Sequence, residues 1–306
     1  MQTNKSHLFA FAAAITFAAA TATCAQIQVL AQSKTVGTLS DARIAESSGV
    51  AASRRFPGFI WTHNDSGDVA RVFLLNARGQ TAAVVNLSGA NARDYEDIAV
   101  AGNGDKAQVY VGDIGDNKSR RDTITVYRFA ESQVVRNALS STRLNAQSPQ
   151  IEVVPQTMTL RYPDGAHDAE TLMATLDGSL VIVTKTREVS TIFKTPRPFA
   201  ANSTQTLVQI GQFRFGAEGW PTRLTTGGDL SADGKRVVIR TYSSAYEWIL
   251  PLGATAWRDV WKSSPRIYSL PVQQQGEGIC YALDNRSWFL SSEGEKSPLW
   301  QVWPRR

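Results

Sequence analysis

One short phrase recurs five times along the chain: an acidic residue followed directly by a short apolar strand. A turn and a second apolar strand come after each copy. The copies begin at Glu46, Glu96, Glu170, Asp229 and Glu277. Repeated units that each carry several short strands are typical of β-propellers, in which every blade is a small sheet beside a central channel. The phrase therefore predicts a propeller in which five carboxylates converge on one funnel.

Short strands and turn signals fill the rest of the chain, with almost no helical periodicity. Grouped by the repeated phrase, they make five blades, the last of which is one strand short. The segment Thr35-Val-Gly-Thr-Leu39 has no other role, so it is expected to complete that blade and leave no open sheet edge. We predict an all-β, five-bladed β-propeller closed by an N-terminal strand, in one domain over residues 33–306; six blades is the alternative.

Two places are less regular. Residues 131–155 form an insertion in the second blade, with a short helix expected near residues 132–139. In the fourth blade, Glu218 competes with Asp229 for the acidic position, because a turn at Asp233-Gly234 follows Asp229 too closely.

The first residues have the composition of a secretory signal peptide. Lys5 and His7 precede an apolar run that is too short to span a bilayer, and small residues follow it up to Ala25. We expect cleavage after Ala25, or as late as Ala31, and export to the periplasm or the cell exterior. A lipoprotein anchored at Cys24 is the alternative. No transmembrane segment is expected in the rest of the chain.

Charge and cysteine content narrow the classes of partner. The net charge is +5, but the arginines are dispersed, which argues against a nucleic-acid ligand. Cleavage of the signal peptide would leave Cys280 as a single thiol, so no internal disulfide could form. Cys280 lies in an apolar strand and is expected to be a buried core residue. We expect a monomer that relies on sheet packing.

Strand direction assigns most polar residues to one face of the disc. Because the strands of a blade are antiparallel, the start of the first and the end of the second lie on the same face. The strand starts carry Glu46, Asp94, Glu96, Asp97, Asp168, Glu170, Asp229 and Glu277. The ends of second strands carry His63, Asn64, Asp65, Asp113, Asp116, Asn117, Lys185, Arg240, Ser291, Ser292 and Glu293. The opposite face receives plain turns, so function is predicted on the first face.

Several carboxylates in one funnel repel one another, and a hard cation would relieve that repulsion. Ca²⁺ accepts about six to eight oxygen ligands. The expected metal ligands are Glu46, Glu96, Glu170 and Glu277, with Asp113 as an addition. Only three His occur and they are far apart, which argues against zinc. The alternative is that these acids pair with Lys185, Arg240 and backbone N–H groups and close the funnel structurally.

Two loops that follow second strands gather carboxylates, Asn and Gly, at residues 62–68 and 112–117. The predicted ligand-binding residues are Asn64, Asp65, Asp116, Asn117, Lys185 and Arg240. His63 is the candidate general base, with Asp97 as a second group that could activate water. A ring-packing or capping role for His63 is the alternative. No Gly-x-Ser-x-Gly, P-loop or HExxH motif is present.

Four segments together resemble a family of secreted bacterial propeller proteins of uncharacterised function. They are Glu46-Ser-Ser-Gly49, His63-Asn-Asp-Ser-Gly-Asp68, Asp94-Tyr-Glu-Asp-Ile-Ala99 and Gly112-Asp-Ile-Gly-Asp-Asn117. The resemblance covers residues 42–303 and implies the propeller architecture. A looser likeness, in the Glu277-Gly-Ile type of blade start, extends to lactonase-like, phytase-esterase-like and calcium-dependent apyrase propellers. In those propellers a central Ca²⁺ takes part in hydrolysis. The analogy with this chain rests on the fold alone.

Two functions follow as expectations. The first is a Ca²⁺-dependent hydrolase of an ester, a lactone or a phosphate ester, with its small-molecule ligand on the funnel face. The second is a non-catalytic module that binds a protein or a glycan through the same loops.

Overall fold

The computed structural model describes residues 28–134, 144–216, 223–250 and 257–305. The signal-peptide prediction, with Cys24, lies outside these residues, as does Glu218. Nearly all regular structure within them is β-strand, and the strands follow one another blade by blade.

The strands of each blade are numbered in chain order. Blade 1 contains β2 (Ser47–Ala52), β3 (Ile60–Asn64), β4 (Arg71–Leu75) and β5 (Thr81–Leu87). Blade 2 contains β6 (Tyr95–Ala101), β7 (Gln108–Asp113), β8 (Ile124–Ala130) and β10 (Gln156–Arg161). Blade 3 contains β11 (Ala169–Ala174), β12 (Leu180–Thr184), β13 (Ser190–Lys194) and β15 (Val208–Phe213).

The last two blades follow the same plan. Blade 4 contains β16 (Thr225–Leu230), β17 (Arg236–Thr241), β18 (Ser244–Ile249) and β19 (Arg266–Ser269). Blade 5 contains β20 (Gly276–Tyr281), β21 (Trp288–Ser292), β22 (Pro298–Pro304) and the N-terminal β1 (Gln28–Thr38).

The first strands of the blades form a closed ring. Strands β2, β6, β11, β16 and β20 pack side by side in that order, and β20 packs back against β2. Five hydrophobic clusters fill the spaces between neighbouring blades, one at each junction. Cys280 lies in one of them as a free, buried thiol. The prediction of a five-bladed β-propeller is confirmed.

The N-terminal strand closes the ring as predicted. Strand β1 runs antiparallel to β22, with Ala31 opposite Pro304 and Thr38 opposite Pro298. Its first three residues pair in parallel with β19, so blades 4 and 5 form one continuous eight-stranded sheet. The backbone N–H of Thr38 donates to the carbonyl of Arg78, 3.1 Å away, which also ties β1 to blade 1.

Two blades carry a fifth strand that the sequence pattern did not predict. Strand β9 (Gln150–Val153) comes from the insertion and pairs in parallel with β5. Strand β14 (Ser203–Thr206) pairs in parallel with β10 of blade 2. Both are only four residues long and partly exposed, and β14 has no apolar residue, so neither carries a clear signal of a buried strand.

Little of the described chain is helical. Residues 131–134 are helical, and the rest of the helix predicted in the insertion lies outside the described residues. Elsewhere the structure has single turns at Gly104–Lys106, Asn145–Gln147 and Trp257–Val260. Among the described helices, none combines the length and apolarity that a membrane crossing requires.

The turns between the first and second strands of the blades are the plain turns predicted for the opposite face. Each contains a residue with positive φ. These residues are Gly58, Gly104, Gly178, Gly234 and Asn285. Residues with small or Asn side chains adopt this left-handed conformation most readily, which accounts for the turn chemistry at these points.

Replacing Gly37 in β1 is expected to weaken ring closure. An ideal Cβ at this position would lie 2.2 Å from the carbonyl oxygen of Arg78, so the backbone of one segment must move. Such overpacking costs about 1–3 kcal/mol, and we expect Gly37→Ala to lower the free energy of unfolding by that amount in denaturant titrations. Ser33→Ala, on an exposed position of the same strand, is the control. Equal stability of the two variants would contradict this account of the contact.

Candidate functional site

The first strand of every blade carries a β-bulge near its start, where the pairing with the second strand shifts register. The bulged positions hold Ser48 and Gly49 in blade 1, Glu96 in blade 2, Glu170 in blade 3, Thr226 in blade 4, and Glu277 and Gly278 in blade 5. Bulges redirect side chains and recur beside functional sites. Three blades therefore present a carboxylate here, and two present a hydroxyl.

The two hydroxyls tie neighbouring bulges together. Ser48 Oγ donates to the carbonyl oxygen of Glu96 at 2.8 Å. Thr226 Oγ1 lies 3.1 Å from the carbonyl oxygens of both Gly276 and Glu277. The register thus places Thr226 where the repeated phrase placed Asp229, so the assignment of Asp229 to this series is wrong. The sequence pattern missed Ser48 and Thr226 because it tracked acidic residues alone.

Three carboxylates meet at the mouth of the funnel. Asp65, Asp94 and Glu96 each offer one oxygen, and these oxygens lie within 4.8 Å of one another. We call these three residues the acid cluster. An ideal Cβ on Gly115 would lie 2.1 Å from Glu96 Oε1 and 2.5 Å from Asp94 Oδ2. Only glycine therefore allows the loop after β7 to approach the carboxylates so closely.

The rest of the funnel is also acidic. Glu170 forms an ion pair with Lys185, whose ammonium lies 5.7 Å from the centre of the Tyr242 ring. Glu277 is buried, and its Oε2 has no hydrogen-bond partner among the described residues. Arg240 is fully buried and donates to the carbonyl of Gly278 at 2.9 Å, so its guanidinium supports the blade 5 bulge.

Crowding of like charges raises the proton affinity of these groups. Burial, followed by the charges of Asp65 and Asp168, raises the pKa of Asp94 to about 6. Burial, followed by the charges of Glu277 and Asp65, raises the pKa of Glu293 to about 7.

Two of the bulge carboxyls respond in the same way. Burial and the neighbouring Glu170 raise the pKa of Glu96 well above its usual value. Burial and Glu277 do the same to the pKa of Glu170. Lys185 and Arg240 offset only part of this excess of negative charge.

Asp97 is placed differently from Glu96, its neighbour in the chain. It is fully buried, and its Oδ2 accepts the N–H groups of Leu172 at 2.9 Å and Gly228 at 3.3 Å. Oδ1 accepts the N–H of Ile98. These bonds join blades 2, 3 and 4, an arrangement typical of a structural tie. The assignment of Asp97 as a group that activates water stays a prediction that these contacts do not favour.

His63 is fully buried as well. Its Nδ1 lies 2.8 Å from the carbonyl oxygen of Asn64, and its ring packs edge-on against Tyr95 at a centroid distance of 6.0 Å. Burial lowers the pKa of His63 to about 4, so the ring is neutral near pH 7. These contacts match the ring-packing alternative, and the role of general base stays a prediction.

The remaining predicted residues hold the loops of this face. Asp113 pairs with Arg121, with Oδ1 and Nη1 2.7 Å apart. The Asn64 side chain donates to the carbonyl of Arg43 and to Asp68. Glu46 is exposed at the rim, as is Asn117 on its loop. The structure thus brings together Glu96, Glu170, Glu277, Asp65, Lys185 and Arg240, with Asp94, Asp168 and Glu293 of the same predicted face, and it adds Tyr242 to the funnel.

Comparison with protein-family models and with curated protein sequences finds no match. Among solved structures, a gluconolactonase from Xanthomonas campestris is 11% identical, with a TM-score of 0.47 over 92% of this chain and 96% of that one. A glutaminyl cyclase from Myxococcus xanthus is also 11% identical, with a TM-score of 0.48 over 92% of this chain and 100% of that one. Likenesses this low carry no argument about function.

Neutralising Glu293 is expected to stabilise the metal-free protein increasingly as the pH rises. Because folding raises the pKa of Glu293 to about 7, the folded state binds the extra proton, and that stabilisation is lost as the pH rises from about 4.5 through about 7. Glu293→Gln removes this loss. In thermal unfolding with chelator, the melting temperature of the variant minus that of the wild type should therefore increase over this window.

Glu152→Gln is the matched control. Ser88 and Asn86 donate hydrogen bonds that lower the pKa of Glu152, so its neutralisation should not stabilise the protein at any pH. A difference in melting temperature between Glu293→Gln and the wild type that stays constant with pH would show that the funnel does not raise the pKa of Glu293.

Proposed function

We propose that the acid cluster holds a divalent cation, with Ca²⁺ the best fit, and that the funnel around it is the active site of a hydrolase. The observation that carries the proposal is the approach of three carboxylate oxygens, from Asp65, Asp94 and Glu96, to within 4.8 Å of one another. Carboxyl groups this close cannot all be ionised unless a cation compensates their charge; without a cation, some of them take up protons.

The donor chemistry fits a hard cation. All three groups are oxygen donors, which Ca²⁺ and Mg²⁺ prefer and which suit zinc less well. Asp168 and Glu170 contribute further negative charge close by. Glu277 adds a buried oxygen without a partner among the described residues, and such an atom is costly to leave unsatisfied. The ligand set predicted from the sequence is Glu46, Glu96, Asp113, Glu170 and Glu277. The acid cluster proposed here shares only Glu96 with that set and adds Asp65 and Asp94.

A bound Ca²⁺ would polarise the carbonyl or phosphoryl oxygen of an ester, a lactone or a phosphate ester. A side chain of this protein would take the proton from the attacking water. Glu293 is half-buried at the funnel, and in the metal-free protein burial and the charges of Glu277 and Asp65 raise its pKa. It pairs with no Arg or Lys side chain in the described residues and is not fully buried, which leaves it able to exchange a proton with a ligand. We therefore assign the proton-transfer role to Glu293, ahead of the buried His63 and Asp97.

A non-catalytic binding module is the second candidate, and one observation favours it. Lys185 is paired with Glu170, and Arg240 is fully buried, so neither cation is free to hold a substrate. In that case the cation would be structural and the loops of the same face would contact a protein or a glycan. Either function fits export through the N-terminal segment, which we retain as a proposal.

Calcium is expected to stabilise the folded protein. A cation that binds only the folded state at 100 times its Kd adds about 2.7 kcal/mol, so Ca²⁺ should raise the melting temperature and chelator should reverse the rise. Glu96→Gln should abolish most of the response, whereas Glu152→Gln, on the outer strand of blade 1, should retain it. A wild-type protein whose melting temperature ignores Ca²⁺, Mg²⁺ and Mn²⁺ would refute the cation site.

Hydrolysis is tested with a panel of lactones, aryl esters and phosphate esters. We expect Ca²⁺-dependent turnover that Glu96→Gln abolishes. Glu293→Gln should lower kcat by about 10²–10⁴-fold, since it removes a general acid–base group, while leaving the stabilisation by Ca²⁺ in place. Stabilisation by Ca²⁺ without turnover of any class would instead favour the binding module.

A further inference from the structure

A cavity of about 310 Å³ opens directly beside the acid cluster. Asp94 lines this cavity and belongs to the acid cluster, so the two sites share a wall. The rest of the lining is rich in cations, with Arg93 on one side and Lys118 and Arg120 on the loop that follows β7. We call this cavity the basic pocket.

The loop that carries Lys118 and Arg120 is held by its own hydrogen bonds. One carboxylate oxygen of Asp116 accepts the backbone N–H groups of Arg120 and Arg121, at 2.5 and 2.6 Å. Arg121 Nη1 donates to Asp113 and to the carbonyl of Gly115, both at 2.7 Å. The wall of the basic pocket is therefore organised before any ligand arrives, which lowers the entropic cost of binding.

The charges of the basic pocket are not balanced within the protein. Arg121 and Asp116 are occupied within the loop. Arg93, Lys118 and Arg120 are exposed, and none of them forms an ion pair with a carboxylate in the described part of the chain. Three unpaired cations at one small cavity attract a compact anion. Arginine is well suited to this task because its planar fork can bind two oxygens of one oxyanion.

We propose that the basic pocket binds the phosphate group of a phosphate monoester. Phosphate monoesters would then be the class of substrate that the proposed hydrolase acts on. The inference rests on the proposed cation site, because the shared Asp94 places a ligand in the pocket next to the acid cluster. The charge of the ligand favours phosphate monoesters over carboxylates and neutral esters. A phosphate monoester carries a charge of about −1.5 to −2 near pH 7, and a carboxylate carries −1. A neutral lactone or aryl ester would leave the charge of all three cations uncompensated.

The position of the basic pocket also gives an anionic ligand a route that avoids the negative charge of the funnel. The funnel is strongly negative, so an anionic ligand would be repelled there unless a cation occupied the acid cluster. The basic pocket offers a positively charged approach from the side, and Gly115 in its wall lies directly against the carboxylates of Glu96 and Asp94. Phosphate binding should therefore be stronger when Ca²⁺ is present.

The test measures binding of phenyl phosphate, inorganic phosphate and benzoate to the full-length protein by calorimetry, with Ca²⁺ and with chelator. The double variant Arg93→Gln/Arg120→Gln should weaken binding of phenyl phosphate at least tenfold. The control Arg78→Gln/Lys106→Gln removes the same charge from exposed side chains elsewhere and should bind like the wild type. Stabilisation by Ca²⁺ should be the same in both double variants.

Each other result decides one part of the proposal. Stabilisation by Ca²⁺ with equal phenyl phosphate affinity in the two double variants would overturn the basic pocket and leave the cation site standing. Benzoate binding as tight as phenyl phosphate would overturn the preference for phosphate. If Ca²⁺ stabilises nothing but phenyl phosphate affinity still depends on Arg93 and Arg120, the cation site fails and the anion pocket is supported alone.

Discussion

Five first strands must meet around one axis, and the close approach of their backbones is the constraint on which the rest of this protein depends. Side chains are excluded where the strands crowd. An ideal Cβ on Gly49 would lie 2.8 Å from the backbone nitrogen of Ile98, and one on Gly278 would lie 2.9 Å from the backbone nitrogen of Val50. Asp97 fills the space that remains and satisfies backbone N–H groups of two other blades. The axis is therefore closed by glycines and by a buried carboxylate.

The same constraint creates the chemistry of the face above. Each first strand bulges as it approaches the axis, and in three blades the bulge carries a glutamate. Carboxylates gathered in this way raise one another's pKa, so the funnel holds protons or cations more tightly than scattered surface acids would. The loop after β7 then sets positive charge beside this negative funnel. The proposed cation site and the proposed anion pocket share Asp94 as a wall, which would suit an anionic substrate whose hydrolysis a metal ion assists.

Sequence patterns were sufficient for the architecture because alternating apolar strands and Gly-containing turns are local signals. They gave the blade order, the closing strand and the turn face. They were insufficient for the site, because membership of the funnel depends on bulge register. Glu46 and Glu96 stand in the same phrase, yet Glu46 is exposed at the rim while Glu96 is buried. His63 and Asp97 have residue types suited to catalysis, but burial gives them packing and structural contacts that residue type does not reveal.

The amino-acid sequence by itself determined that this chain forms a five-bladed ring with its acidic residues on one face, since strand periodicity and strand direction follow from neighbours along the chain. Only the tertiary structure decided which acids meet. Asp65 and Asp94 come from different blades, and a one-residue bulge sets whether Glu96 points towards them. The raised pKa of Glu293 likewise follows from the tertiary structure, because burial raises it first and then the carboxylates of Glu277, in the same blade, and of Asp65, in blade 1.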